Sequence, residues 1–409
     1  MPHNPCRFCG GPLEHTFADL GMSPLANSFV PPERANSMEP FFPLRALVCS
    51  RCFLVQLEEF ESPQGIFSDY AYFSSYSTSW LEHSRRYVEM VVERFTLDTD
   101  SHVVEIASND GYLLQYFRDH DVPVLGVEPA ANVARVAEER GVPTEVAFFG
   151  TATAERLAAS RRADLLLGNN VLAHVPDLND FVQGMRILLA QGGTITMEFP
   201  HLMRLVEENE YDTIYHEHFS YFSFSTVREV FAEHGLRLFD VEELPTHGGS
   251  LRIFGCHHDD ARPDSERTRE LLAREESAGY RGLALYLDYA ERVRASKRAT
   301  LELLIGLKRQ GQTIVGYGAA AKGNTLLNFC GIGTDFIDYT VDRNPHKQGY
   351  LLPGSHIAIR PVETIRETRP DVVLILPWNL RDEIIEQMAF VREWGGRFAA
   401  RTPELTLLP

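Results

Sequence analysis

The chain has 409 residues and a formal net charge of -18, with 44% hydrophobic and 23% charged residues. This length is enough for two or three domains, each with its own core. So acidic a chain lacks the basic face that broad nucleic-acid binding requires. No apolar run approaches the roughly 18–20 residues of a membrane span, and the first residues do not resemble a signal peptide. We therefore expect a cytoplasmic protein of undetermined oligomeric state.

Two C-x-x-C pairs stand near the start of the chain, Cys6 with Cys9 and Cys49 with Cys52. Two such pairs at this separation are typical of a zinc ribbon, in which each pair contributes two sulfur ligands. Disulfides and redox pairs fit a cytoplasmic chain less well. We predict a zinc-binding domain over residues 1–75 with a structural Zn²⁺ on four thiolates. Because a four-cysteine site has no open position, its role is folding.

Residues 76–260 read as one α/β domain, with strands predicted at 103–106, 124–127, 164–168 and 194–199. The first strand leads into a turn of small and polar residues, and the second ends at an acidic residue that suits a ribose. The turn contains only one glycine, so it is not G-x-G-x-x-G, and S-adenosylmethionine is favoured over a dinucleotide. The candidate cofactor residues are Glu105, Ala107, Asn109, Gly111, Glu128, Pro129, Phe148, Asn169 and Asn170.

The segment after the fourth strand has the highest density of side chains that can transfer protons. It is Tyr215-His216-Glu217-His218. Groups that titrate near neutral pH, flanked by phenols, suit proton transfer. Two alternatives are a metal site on the H-x-H pair and a polar loop with a core histidine. Upstream, the hydroxyl-rich loop with Tyr70 and Tyr72 could cover the substrate.

Residues 261–409 read as a helical bridge followed by a second Rossmann-like domain, with strands predicted at 313–316, 337–341 and 372–376. Small residues at the start of a helix leave its backbone N–H groups open to a phosphate, and nearby lysines add positive charge. This region therefore predicts a second nucleotide, held through its diphosphate. A degenerate domain kept for packing is the alternative. His247-Gly248-Gly249, beside a strand, predicts a backbone that closes over a ligand. The candidate substrate residues are His247, Gly248, Gly249, Gly318, Lys322, Asn324, Asp342, Lys347 and Asn379.

The cysteine pairs, the two Rossmann-like regions and the histidine-rich segment occur in the order found in a known family. The chain resembles the sugar C-methyltransferases that make branched deoxysugars, of the tetronitrose C-3-methyltransferase type. The resemblance covers essentially the whole chain. It departs at Ala107, where the family commonly has glycine, and at His216, where an acid often stands. The motifs that carry it are the two C-x-x-C pairs, Glu105-Ile106-Ala107-Ser108-Asn109-Asp110-Gly111, Leu172-Ala173-His174-Val175-Pro176, Tyr215-His216-Glu217-His218-Phe219, His247-Gly248-Gly249, Gly316-Tyr317-Gly318-Ala319-Ala320-Ala321-Lys322 and Asn328-Phe329-Cys330-Gly331-Ile332-Gly333.

The resemblance implies a zinc domain, a central class I methyltransferase domain that uses S-adenosylmethionine, and a C-terminal domain for a nucleotide-linked 4-keto sugar. It places the base that removes the proton next to the ketone on His218. Glu217, Tyr215, His174 and the loop with Tyr70 and Tyr72 would be its neighbours, orienting the sugar or binding the enolate oxygen. C-3 is the favoured position and C-5 stays open, as do the nucleotide (thymidine, guanosine or cytidine) and the sugar.

Three other functions are considered. Sugar O-methylation is compatible with the same His–Glu base. A nicotinamide-dependent oxidoreductase would need the glycine motif that both Rossmann-like halves lack. A zinc-ribbon adaptor with an inactive methyltransferase domain conflicts with the intact set of Glu105, Gly111 and Glu128.

Overall fold

The computed structural model describes residues 5–62, 74–76, 78–401 and 404–408, without the side chains of residues 76 and 78. The predicted loop residues Tyr70 and Tyr72 lie outside the described residues. No helix within the described ranges is both long enough and apolar enough to cross a lipid bilayer.

The described residues contain three β-sheets joined by helices. The strands are β1 His15–Ser23, β2 Phe42–Val48, β3 Val55–Leu57, β4 Val103–Ile106, β5 Val124–Val127, β6 Thr144–Glu145, β7 Ala163–Asn169, β8 Leu189–Pro200, β9 Ser220–Tyr221, β10 Leu236–Leu244, β11 Ser250–His257, β12 Ile314–Tyr317, β13 Thr340–Val341, β14 Ile359–Arg360, β15 Val372–Ile375, β16 Arg397–Arg401 and β17 Leu405–Leu408. The α-helices are α1 Thr78–Phe95, α2 Leu114–Arg118, α3 Ala131–Glu139, α4 Thr151–Ala158, α5 Leu178–Leu188, α6 Leu202–Glu207, α7 Phe224–Glu233, α8 Glu266–Ser277, α9 Leu283–Arg309, α10 Ala321–Cys330, α11 Thr364–Thr368 and α12 Arg381–Gln387.

The first sheet is antiparallel and combines distant parts of the chain, in the order β1-β2-β3-β9. Its last strand, β9, comes from the region beyond β8, and Val55 pairs with Tyr221. The segment just before β9 contains His218, so this pairing brings the zinc-binding region against the predicted catalytic loop.

The central sheet has the order β10-β11-β8-β7-β4-β5-β6, and β11 runs antiparallel to both of its neighbours. Strands β4, β5, β7 and β8 are parallel, so their carboxyl ends share one edge. Ligands bind at this edge in open α/β sheets. The buried β-branched and leucine side chains of β4 and β7 explain why these segments form interior strands.

The third sheet, β14-β13-β12-β15-β16-β17, is parallel except for β17. It confirms the second Rossmann-like unit, and the whole chain has the predicted α/β class. The long helix α9 packs on the first sheet, with the rings of Phe17 and Tyr289 stacked 4.4 Å apart. Buried apolar side chains of the first sheet share one cluster with the third sheet and another with the central sheet.

Candidate active site

The four cysteine sulfurs of the two knuckles lie within 4.8 Å of one another. The shortest separations are 3.6 Å between Cys6 and Cys52 and 3.5 Å between Cys9 and Cys49. A tetrahedral zinc with Zn–S bonds of about 2.3 Å places its sulfurs nearly 4 Å apart, roughly this spacing. The amide of Gln56 donates to the Cys6 sulfur at 3.1 Å, an outer contact that orients a ligand. These four side chains fit a Zn²⁺ ion.

The turn after β4 has a left-handed backbone at several positions. The φ angles are 56° at Ala107, 50° at Asn109 and 75° at Gly111. Positive φ at Ala107 explains why glycine is favoured there, because a Cβ atom is strained in this region. Glu128 holds the turn, since its carboxylate accepts hydrogen bonds from the backbone N–H groups of Asn109 and Ala130 at 3.0 and 2.8 Å.

Several buried polar atoms at this edge lack a hydrogen-bond partner among the described residues. They are Oδ1 of Asn170 and, apart from the nearby Tyr112 phenol, both carboxylate oxygens of Glu105 and Nδ2 of Asn169. Burial raises the pKa of Glu105 well above its usual value. Acceptors and a donor left unpaired in this way suit a ligand with an amino group and a carboxylate. The residues present therefore fit the methionine part of S-adenosylmethionine.

The imidazole of His218 is held at both ring nitrogens. Nδ1 donates to the Thr213 carbonyl at 3.1 Å, and Nε2 lies 2.9 Å from the Tyr215 hydroxyl. A carbonyl oxygen can only accept, so the neutral ring has its proton on Nδ1 and a lone pair on Nε2. Burial, and next the nearby His174, lower the pKa of His218 well below its usual value. The ring is therefore an unprotonated base in the neutral range.

The Glu217 side chain does not orient this ring, contrary to the expectation of a His–Glu pair. Both of its oxygens instead accept hydrogen bonds from the Asn27 amide, at 3.1 and 3.0 Å. Burial raises the pKa of Glu217 to about 7, against the opposing effects of Asn27 and Lys347. Glu217 contacts the histidines through its backbone, because Nδ1 of His174 donates to its carbonyl at 2.6 Å. The Thr213 carbonyl, and not the Glu217 carboxylate, accepts the hydrogen bond from Nδ1 of His218.

His174 and His247 add two more imidazoles to the site. The rings of His174 and His218 meet edge to face at 4.7 Å. Nε2 of His247 accepts from the Asn170 amide at 3.0 Å, which joins a predicted substrate residue to a predicted cofactor residue. Burial lowers the pKa of both His174 and His247 to about 4, and the Lys322 charge also acts on His247. Both rings are neutral at pH 7.

Gly248 and Gly249 lie against side chains of the protein itself, and their predicted closure over a ligand stays a prediction. A Cβ atom on Gly248 would lie 2.3 Å from the Glu210 carboxylate, and one on Gly249 would lie 2.5 Å from the Arg204 side chain. Their φ angles, 101° and 139°, also favour glycine. These glycines let the protein's own side chains pack against the backbone beside His247.

The two predicted phosphate lysines flank the turn that follows β12. Nζ of Lys322 donates to Asn379 at 2.9 Å and lies over the Trp378 ring, whereas Nζ of Lys347 donates to the Ala319 carbonyl at 2.9 Å. Burial lowers the pKa of both lysines. Asp342 accepts from the Ala319 N–H at 2.7 Å, and Gly318 in the same turn has a φ of 97°.

Other predicted residues have different surroundings from those expected. The buried Asn324 amide donates to the Ala26 carbonyl at 3.2 Å, so it joins two domains. His216 turns away from His218 and lies 3.2 Å from the Pro43 carbonyl. In the described part of the chain only the four cysteines form a cluster that could hold a metal, which disfavours the H-x-H metal site. Pro129 is half-buried, and Phe148 is exposed and free to cover an adenine.

Sequence reasoning missed a polar cluster at the carboxyl end of β8. The buried Glu198 carboxylate contacts His83, Thr246 and Arg252 at 2.8 to 2.9 Å. Burial alone would raise the pKa of Glu198, but His83 and Arg252 lower it to about 2. Glu198 could have been found from its place at the end of a predicted strand. No comparable sequence pattern indicated that Asn27 contacts Glu217.

Comparison with known proteins finds matches to methyltransferases along the chain. Three family matches cover most of the chain: a zinc binding domain over residues 6–67, a methyltransferase domain over 80–241 and a C-methyltransferase C-terminal domain over 245–403. The chain is 39% identical to the C-methyltransferase NovU of Streptomyces niveus over 410 aligned positions, which cover 98% of this chain and 96% of NovU.

Among solved structures, magnesium protoporphyrin IX methyltransferase from Synechocystis with bound SAH is 12% identical, with a TM-score of 0.35 over 43% of this chain and 82% of that one. A methyltransferase in complex with its Trm112 activator from Haloferax volcanii is 13% identical, with a TM-score of 0.34 over 44% of this chain and 96% of that chain.

The fold and the family matches define an S-adenosylmethionine-dependent methyltransferase with an N-terminal zinc-binding domain, as predicted. The chain belongs to the C-methyltransferase family, which its match to NovU along nearly its whole length shows directly. A methyltransferase is not a nicotinamide-dependent oxidoreductase, so that alternative is excluded. The domain boundaries at residues 75 and 260, and the roles of individual site residues, stay predictions.

Proposed function

We propose that this enzyme methylates carbon, at C-3, of a nucleoside-diphosphate 4-keto deoxysugar to make a branched sugar in the cytoplasm. The observation that carries the proposal is the state of His218, a neutral imidazole whose Nε2 lone pair faces the Tyr215 hydroxyl. Carbon next to a ketone is acidic enough for such a base because its anion is an enolate. The resemblance to sugar C-methyltransferases supplies the substrate class.

The proposed reaction begins when Nε2 of His218 accepts the proton on the carbon next to the ketone. The C–H electron pair moves into the enolate, and negative charge develops on the ketone oxygen. The Tyr215 hydroxyl, displaced from Nε2 by the substrate, then donates a hydrogen bond to that oxygen. Bound S-adenosylmethionine supplies an electrophilic methyl group on its sulfonium. That methyl group would pass to the enolate carbon, with the sulfur keeping the electron pair of the S–C bond, and His218 would return its proton to water.

We place these groups between the two proposed ligands. On one side, Asn170 and the buried oxygens of Glu105 belong to the methyl-donor edge. On the other side, Lys322 and Lys347 belong to the C-terminal sheet, where we place the diphosphate. Both lysines lie near enough to act on the segment with the proposed base. The Lys347 charge lowers the pKa of Glu217, and the Lys322 charge lowers the pKa of His218.

Hydrogen exchange at the sugar carbon tests this assignment. The enzyme is incubated in deuterated water with thymidine, guanosine or cytidine diphosphate 4-keto deoxysugars and with S-adenosylhomocysteine in place of the donor. We expect deuterium at one carbon, which would also distinguish C-3 from C-5. His218→Ala should lose exchange and methylation together, by roughly 10²–10⁴-fold.

The matched control is His216→Ala, two residues away, whose ring faces Pro43 and should not be needed. An active His218→Ala enzyme would move the base to His174 or His247. Methylation without any exchange in the unmodified enzyme would show that oxygen, not carbon, receives the methyl group.

A further inference from the structure

The zinc-binding domain reaches the proposed transfer site through Asn27, which lies between β1 and β2. Nδ2 of Asn27 is 3.1 Å from Oε1 and 3.0 Å from Oε2 of Glu217, across 190 residues of sequence. An amide nitrogen can only donate, so both contacts favour the ionised carboxylate. The buried carboxylate of Glu217 thus depends on a side chain from another domain.

The segment around Asn27 is fixed to the C-terminal domain on both sides. Just before it, the Ala26 carbonyl accepts the hydrogen bond from Asn324 in α10. Just after it, Val30 pairs with Leu351 through two backbone hydrogen bonds of 3.0 and 2.8 Å. Asn27 itself remains exposed to solvent. The backbone that carries its amide is therefore held in place by contacts that do not involve Glu217.

Few charged or titratable groups face the Glu217 carboxylate. The Lys347 ammonium of the C-terminal domain acts on it, and lies over the Phe29 ring at 5.2 Å. The Tyr221 phenol in β9 also faces Glu217. Burial raises the pKa of this phenol most, and the Glu217 charge raises it further. His174 meets Glu217 only at the backbone carbonyl. Asn27 provides direct hydrogen bonds to the Glu217 carboxylate, which forms no ion pair within 4 Å among the residues described.

We propose that Asn27 is a positioning residue of the transfer site, through which the zinc-binding domain keeps the Glu217 carboxylate ionised and oriented. An ionised carboxylate accepts a hydrogen bond from a sugar hydroxyl and keeps the nearby Lys347 charged. The zinc-binding domain is then part of the active site as well as a folding unit. This proposal rests on the proposed function for the identity of its ligand, the sugar.

The Asn27→Asp variant tests the proposal. Aspartate has the same shape as asparagine, but its carboxylate oxygen replaces the amide nitrogen that donates hydrogen bonds to Glu217. Two carboxylates in contact cannot both ionise readily, so the acid limb of the kcat/KM profile should move upward by roughly one pH unit or more. At pH 7, close to the pKa of Glu217, an upward move of one pH unit lowers kcat/KM roughly fivefold, and activity should recover at higher pH. Asn27→Ala should move the limb in the same direction by a smaller amount. Ser28→Ala, the exposed neighbour, should leave it unchanged.

A pH profile identical to that of the unmodified enzyme in Asn27→Asp would overturn the proposal. Zinc content and melting temperature are measured for each variant, so that a folding defect is recognised.

A second measurement needs no substrate and so separates this proposal from the proposed function. Between pH 5 and 8, the melting temperature of Asn27→Asp should fall more steeply than that of the unmodified protein. The difference should disappear in a Glu217→Gln background, where the glutamine amide can donate to the introduced aspartate. If Asn27→Asp changes the pH dependence of the melting temperature equally with Glu217 and with Gln at position 217, Asn27 does not act through Glu217. The positioning proposal would then be wrong even if the enzyme methylates sugars. Conversely, an intact coupling in an enzyme that methylates no sugar would refute only the proposed substrate.

Discussion

Replacing Glu217 by glutamine should make the protein more stable at high pH, although it alters the proposed active site. Burial raises the pKa of Glu217 from its ordinary 4.5 to about 7. Below pH 4.5 the carboxyl is protonated in both the folded and the unfolded chain. As the pH rises toward 7, the unfolded chain ionises first, and the folded protein loses stability. The glutamine variant does not titrate, so it escapes this loss.

The size of the effect follows from the shift of about 2.5 pH units between 4.5 and 7. At 1.36 kcal/mol per unit, this amounts to about 3 kcal/mol in the free energy of unfolding. Relative to the unmodified protein, Glu217→Gln should therefore gain about 3 kcal/mol between pH 4.5 and pH 8.

Urea unfolding of the zinc-loaded protein at a series of pH values measures this difference. The control is Glu33→Gln, an exposed glutamate in the same zinc-binding domain, which should follow the unmodified protein at every pH. If the stability difference between Glu217→Gln and the unmodified protein is the same at pH 5 and pH 8, the Glu217 carboxyl is not held near pKa 7 and the reasoning is wrong.

Three further predictions concern the ligands. Cys6→Ser and Cys49→Ser should each lose zinc and soluble protein, because structural zinc contributes on the order of 10 kcal/mol in small zinc domains; a variant with full zinc content and stability would contradict the four-sulfur site. Glu128→Ala should weaken S-adenosylmethionine binding by roughly 1.5–3 kcal/mol in calorimetry, and unchanged affinity would place the ribose elsewhere. Lys322→Ala and Lys347→Ala should raise the KM of the sugar nucleotide far more than that of the donor, and a nucleoside diphosphate should raise the melting temperature by mass action; no thermal shift with any common nucleoside diphosphate would refute the second nucleotide.

Short-range patterns in the sequence predicted most of the parallel strands of the central and third sheets, but none of the four strands of the first sheet. The alternation of apolar runs and helical segments located β4 and β5 to the residue, and β7, β8, β12 and β15 within a few residues. Since parallel strands end at a common edge, the positions of Glu105, Glu128 and Asn170 followed from strand ends alone. The zinc site followed from the spacing of its cysteines. In each case the information lies within a few residues along the chain.

Contacts made across domains could not be predicted in this way. Nothing near Glu217 indicates that its partner is Asn27, or that a backbone carbonyl at Thr213 sets the tautomer of His218. The same holds for Asn324, which looked like a ligand residue at a helix start and bonds to Ala26. Such details depend on how the three sheets pack, because polar atoms that become buried take whichever partner the packing provides.

The segment that carries His218 is held by all three domains, which constrains how this enzyme can work. From the C-terminal domain, the Arg401 guanidinium and the Trp378 indole both bond to the buried Asp212 carboxylate. Removing one partner of a buried ion pair typically costs about 3–5 kcal/mol, because the other charge is left uncompensated. The central domain adds His174, and the zinc-binding domain adds Asn27. A central domain expressed alone would leave Asp212 without its cation and Glu217 without its donor, so it should bind S-adenosylmethionine without forming the proton-transfer site.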